Sequence, residues 1–189
     1  RSSTWSKNFC PAPSAATIVA DTYIGSLTPD LNFSDQVFTL IQATGTVDPA
    51  CVATYTTLLK FDVAATQEIA SATLTLRSLN PTTLPGTPMT MRLFGVDDDT
   101  WDPATVTWNS WNTLMPTLID LGSTAPTAPT GSDVVFPSST AFASFLNNQR
   151  AGQSVGDGQA TIVVQADTCP FGQSEQQAFS SSENTGGPP

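Results

Sequence analysis

Leu74 and Leu76 alternate with threonine in the stretch Ile69 to Arg77, and Met89, Met91 and Leu93 alternate with Thr90 and Arg92 in the stretch Met89 to Val96. Successive side chains of an extended strand point to opposite faces, so a period of two predicts strands in a sheet with one dry and one wet face. The Pro-rich segment Asn80 to Pro88 between them reads as a turn that makes the two strands neighbours. Helix is poorly provided for: only three of the 16 acidic residues are Glu, while Thr, Ser and the 15 Pro favour strands and turns. The expected fold is therefore all-β, and 189 residues suit one sandwich or barrel domain.

Further strands are predicted over Thr17 to Ile24, Gln36 to Thr44, Val52 to Val63, Leu118 to Leu121, Asp133 to Phe136, Ala160 to Gln165 and near Ala178 to Ser182. One helix is predicted over Thr140 to Arg150, with Ser138 or Ser139 as N-cap, Phe142, Phe145 and Leu146 on one face, and Gly152 beyond its end. Strands in this number, with no internal repeat, predict an antiparallel two-sheet, jelly-roll-like sandwich with one short helix.

Six Lys and Arg face 16 Asp and Glu, a formal net charge of −10, the wrong sign for a nucleic-acid backbone or an anionic membrane surface. The chain has no His, which excludes a His-based triad, an imidazole general base and a His-ligated zinc site. Apolar runs such as Ile162-Val163-Val164 are far below the roughly 20 residues of a membrane span. Neither nucleic acid nor membrane insertion is expected. No GxSxG, Walker or GxGxxG pattern occurs, and no nucleophile, base and oxyanion donor can be named together, so the chain reads as no enzyme and implies no cofactor. Low charge, many hydroxyls and the lack of a leader before Arg1 read as a mature, secreted or cell-surface protein. Cys10, Cys51 and Cys169 show no CxxC spacing; in an exported chain they predict at least one disulfide, the pair left open, with one thiol over.

Five phrases occur in order: Ala20-Asp21-Thr22-Tyr23-Ile24, Leu58-Leu59-Lys60-Phe61-Asp62-Val63, Ile69 to Leu76, Asp99-Thr100-Trp101 through Val106-Thr107-Trp108-Asn109, and Ala178 to Glu183. Together they resemble the DNRLRE-type domains, extracellular jelly-roll-like sandwiches related to carbohydrate-binding modules. The resemblance covers most of the chain. It implies a secreted or surface-attached module that binds polysaccharide or builds a surface structure, with no catalytic residues to carry over. It also implies a closing strand after the Pro pair, which this sequence lacks, and it leaves residues 1–14 as an additional arm before a sandwich domain at 15–189. Trp5 and Phe9, with Lys7 between them, would share one face of a strand in that arm. They are the candidate anchors of a strand donated to another copy, beside the strand near Ala178 to Ser182.

Trp101, Trp108 and Trp111 form a candidate platform for sugar rings; the competing reading packs them as plugs under a long loop. Asp97 and Asp99 offer oxygen ligands suited to Ca²⁺ but lack EF-hand spacing, and a solvated acidic turn competes. Asn32-Phe33-Ser34 is an N-glycosylation sequon in a predicted loop. The reading these features favour is a non-catalytic structural subunit of a surface fibre, a homopolymer joined head to tail by strand donation. The alternative is a carbohydrate-binding module acting on cell-wall or matrix polysaccharide.

Overall fold

The computed structural model describes residues 16–45, 51–63, 68–82, 89–97, 100–114, 117–153, 156–168 and 174–181. Among them nine strands and two helices follow in the order β1 (Thr17–Gly25), β2 (Phe38–Gly45), β3 (Cys51–Asp62), β4 (Leu74–Thr82), β5 (Thr90–Val96), α1 (Trp108–Leu114), β6 (Ile119–Pro126), β7 (Asp133–Phe136), α2 (Thr140–Gln149), β8 (Gln159–Thr168) and β9 (Ser174–Ser180). Every pairing is antiparallel. The ladder runs β6-β5-β8-β3-β2-β9-β4-β7, with β1 joined to β3.

A single long strand makes this path continuous. Residues 51–55 of β3 pair with β2, residues 55–62 pair with β1, and residues 57–62 pair with β8. Tyr55 is the changeover, opposite Gly25 of β1 and Gln42 of β2. A Cβ on Gly25 would stand 2.2 Å from the Tyr55 ring, so only glycine fits there. The two separate sheets expected from the alternation are therefore two groups of strands, β1-β3-β8-β5-β6 and β2-β9-β4-β7, sharing β3 as a hinge. Both groups contribute to one main core, which includes Ile41, Leu59, Leu76, Met91, Phe136 and Phe179. At the far ends of the path, the Ser123 hydroxyl donates to Pro137 O at 2.6 Å and the Ser139 hydroxyl bonds Leu121 O. These contacts bring β6 towards β7 and nearly close the sheet.

Burial follows the sequence pattern strand by strand. In β5, β6 and β7 every second residue is buried, as the alternation requires. In β3 and β8 neighbours are buried together: Leu58 with Leu59, and Ile162, Val163 and Val164 in a row. A run of this kind marks a strand covered on both faces. The second cover is the segment 100–114, which lays Trp101, Val106 and Trp111 on Ile24, Leu58, Val96 and Val163. Trp101 is 4% exposed and Trp111 6%. The Trp101 indole donates to the Thr161 hydroxyl at 2.9 Å, and the Lys60 ammonium lies 4.7 Å from the indole ring centre while donating to Trp101 O at 2.8 Å.

Two helices replace the one expected. α1 starts with a reciprocal cap: the Thr107 hydroxyl accepts from Ser110 N at 3.2 Å and the Ser110 hydroxyl accepts from Thr107 N at 2.8 Å. α2 matches its prediction, with Ser139 accepting from Phe142 N and Phe142, Phe145 and Leu146 buried. β4 begins later than predicted and runs on through Asn80-Pro81-Thr82, which the Pro content had marked as turn. Before it, Asn147 of α2 holds Ile69 by both its N–H and its carbonyl, each at 2.8 Å, drawing that stretch out of the sheet.

The position assigned to a donated strand is occupied. β9 pairs with β2 along one edge and with β4 along the other, so the strand at Ala178 has no free edge for a neighbour's arm. The arm residues Trp5 and Phe9 and the last residues of the chain lie outside the described residues. Asn32, the residue of the sequon, is engaged by hydrogen bonds within the fold. Its amide nitrogen donates to Pro103 O and Val106 O, both at 2.7 Å, and its oxygen accepts from Ser34 N and the Ser34 hydroxyl. A glycan on that nitrogen would remove one of these donors, so the side chain serves as a bolt between the loop after β1 and the Trp101 segment.

Two substitutions test this description. Trp101→Ala should lower the unfolding free energy by about 3–5 kcal/mol, the cost of emptying a packed aromatic site. Asn32→Ala should cost about 1–3 kcal/mol, because two carbonyls lose their donors. Urea titrations followed by tryptophan fluorescence check both; an Asn32→Ala midpoint equal to that of the parent would remove the bolt from the account.

Candidate functional site

The outer face of the β1-β3-β8-β5-β6 group is divided. The Trp101 segment covers its β1, β3 and inner β8 portion, and leaves the start of β5, the end of β8 and β6 open. Outward positions there are Thr90, Arg92 and Phe94 on β5, Asp120 and Thr124 on β6, and Gln165 and Asp167 on β8, as the registers Arg92 opposite Gln165 and Thr124, and Phe94 opposite Asp120, require. Arg92 lies between two carboxylates. Its Nε donates to Asp167 at 2.8 Å and one terminal nitrogen to the same carboxylate at 3.3 Å, while the other terminal nitrogen donates to Asp120 at 2.8 Å. The side chains of Arg92, Asp120 and Asp167 are 31%, 51% and 26% exposed.

The electrostatics of this strip are fixed by those bonds. The Gly122 N–H, bonded to Asp120 at 2.8 Å, and behind it the Arg92 guanidinium hold the Asp120 carboxyl below the usual carboxylate range. The bond to Asp167, then that to Asp120, raises the Arg92 pKa further. Arg92 and Asp120 thus face each other as ions at neutral pH, and the guanidinium is locked in one orientation by a bidentate pair and a third bond. At the end of the strip Phe94, partly exposed, packs against the same cluster as Trp108 and Leu118.

The fold keeps the three tryptophans in one cluster but turns the predicted platform largely inward. Trp101 and Trp111 are buried in the second core and only Trp108 is partly exposed, so the packing reading describes two of the three. Asp97 accepts from Gln149 at the end of α2 at 2.8 Å, and Asp99 lies outside the described residues. Among the described residues no three acidic or Cys side chains are grouped to hold a metal ion. Cys10 and Cys169 lie outside the described residues, and Cys51 is described only as the first backbone position of β3.

A second cluster of rings escapes sequence reasoning. Tyr23 stacks on Phe33 at 4.3 Å and on Phe38 at 5.8 Å, with Tyr55 edge-on to both Tyr23 and Phe33. Burial pushes the Tyr23 hydroxyl up to about 12, so it stays protonated at neutral pH. The loop between β1 and β2 exposes Leu27, Leu31 and Val37 nearby in sequence. Phe33 in a polar loop beside Pro29 was the available signal, because a lone aromatic there needs a partner. An open depression of about 490 Å³ beside α2 is lined by Glu68, Ser138, Ser139, Thr140, Ser144 and Asn147 among others. Ser138, Ser139 and Asn147 already spend their polar groups on Ala72, Phe142 and Ile69, which leaves little to grip a ligand.

No curated protein matches the chain. The family model of carbohydrate-binding module family 96 matches residues 12–125, a stretch that carries β1 to β5, the Trp101 segment and nearly all of β6. That stretch includes Arg92, Phe94 and Asp120 and is more than half of the 189 residues. On this match, and with a sheet face left open beside its aromatic plug, the chain belongs to carbohydrate-binding module family 96.

Proposed function

We propose that this chain is a non-catalytic, extracellular module that binds cell-wall or matrix polysaccharide. The observation that carries the reading is the family match over residues 12–125. The fold supports it physically, since the open strip is centred on β5, which is paired along both edges by β6 and β8, and needs no reordering to meet a ligand. The same proposal takes the two strand groups as a jelly-roll-like sandwich, and takes the five ordered phrases as a DNRLRE-type relationship. The fibre-subunit reading has no comparable support, because the edge it required beside β9 is filled.

Retention on insoluble polysaccharides, scored by depletion from the supernatant, tests the proposal. At least one of cellulose, xylan, mannan and chitin should deplete the protein, with no new reducing ends released over a day. A protein that stays in solution with all such polymers, or that liberates sugar from one of them, would refute it.

A further inference from the structure

Three of the five large apolar side chains that the described residues leave exposed, Leu27, Leu31 and Val37, lie in the loop between β1 and β2. The same stretch carries Phe33 and leads into Phe38, both partly exposed and both stacked on Tyr23. Single apolar residues scattered over a surface need no explanation, but a group of them in one loop marks a contact surface. The loop presents them on a fixed frame. The Asn109 N–H donates to Pro29 O at 3.0 Å, and the Asn32 amide donates to Pro103 O and Val106 O. Its charges are of one sign, since Asp30 and Asp35 are exposed and residues 26–37 contain no Lys or Arg. What covers it should therefore be apolar and basic.

Residues 1–15 have that composition. They hold Arg1 and Lys7, two of the chain's six cations, with Trp5 and Phe9 among them and no acid. Residues 182–189 begin beside the loop, where Ser181 N donates to Val37 O, but they carry Glu183 and no large apolar side chain. A second copy would bring its own net charge of −10 against the same acids. The N-terminal segment also has the length. From Thr17 to Gly25 the strand β1 spans ~26 Å, eight steps of ~3.3 Å, whereas the twelve steps from Trp5 to Thr17 reach ~40 Å when extended. Among the described strands β1 pairs with β3 alone, so the segment can return along the other side of β1. We propose that residues 1–9 dock in cis on the loop between β1 and β2. Trp5 and Phe9 cover Leu27, Leu31, Val37 and the Phe33 ring, and Arg1 and Lys7 face Asp30 and Asp35.

A lysine-specific endoproteinase tests the inference, because Lys7 and Lys60 are the only lysines of the chain and Lys60 is buried. Release of residues 1–7 is followed by mass, and each rate is divided by that of a free synthetic peptide of the same residues 1–15. In the parent the Lys7–Asn8 bond should be cut at least about tenfold more slowly than in the peptide. Leu27→Asp and Leu31→Asp, at exposed positions, should remove most of that protection, as should Trp5→Ala, which lies outside the described fold and so cannot act by unfolding it. Asp30→Asn combined with Asp35→Asn should weaken it several-fold, and Val135→Asp, on β7 at the far end of the strand path, should leave it unchanged. Docking in cis also makes the protection independent of protein concentration over about two decades. Cleavage of the parent as fast as the peptide overturns the docking. Protection that survives Leu27→Asp, Leu31→Asp and Trp5→Ala overturns the assigned surface, and protection that rises with protein concentration gives the site to a second copy's segment and overturns the cis assignment.

Discussion

The indole of Trp101 decides which part of the larger strand group meets solvent. It is fixed from three sides: packing on Leu58 and Val163, a hydrogen bond from its Nε1 to Thr161, and the Lys60 ammonium near its ring. Lys60 is itself buried, and its bond to Trp101 O ties the charge to the backbone of the covering segment rather than to that of the sheet. An ammonium over an indole gains more when water is excluded, so the anchor strengthens as the cover closes. Once the cover is in place the middle of β3 and of β8 is dry on both faces, and β5, β6 and the end of β8 present polar groups outward.

Asn32 and Asn109 extend that control to a second loop. Asn32 bonds Pro103 and Val106, while Asn109 bonds Pro29 through its N–H and Asp30 through its side chain. The loop between β1 and β2 and the covering segment therefore brace each other, and Phe33 is held over Tyr23 as a result. The ring cluster around Tyr23 and the covered face are one mechanical unit, although they lie on different sides of the strand β1.

Strands were legible where burial alternates, as at Leu74 and Leu76 or Met91 and Leu93, because period two has a single interpretation there. α2 was legible because cap, apolar stripe and terminal Gly agree. α1 was not: the phrase Thr107-Trp108-Asn109-Ser110 lacks the Glu or Gln of a standard capping box, and Ser110 performs that role with a shorter side chain. Trp108 and Trp111 at a spacing of three were the overlooked sign of helix. The Arg92 strip was hidden for another reason. Asp120 and Asp167 stand 28 and 75 positions away in sequence, and only the strand registers bring them together. The fibre reading failed at the same level, since strand order around β9 is a property of pairing that no local pattern encodes.

The place of β9 between β2 and β4 has a kinetic consequence. β2 and β4 do not pair with each other, so their group stays open down the middle until residues 174–180 arrive from far along the chain. Until then Ile41 on one side and Leu76 on the other lack Phe179, which completes the main core between them. Closing such a long loop before any reward is gained slows folding and leaves two strand edges open in the meantime. The larger strand group faces the same wait for β8, so most of the chain has to be synthesised before either group can be sealed.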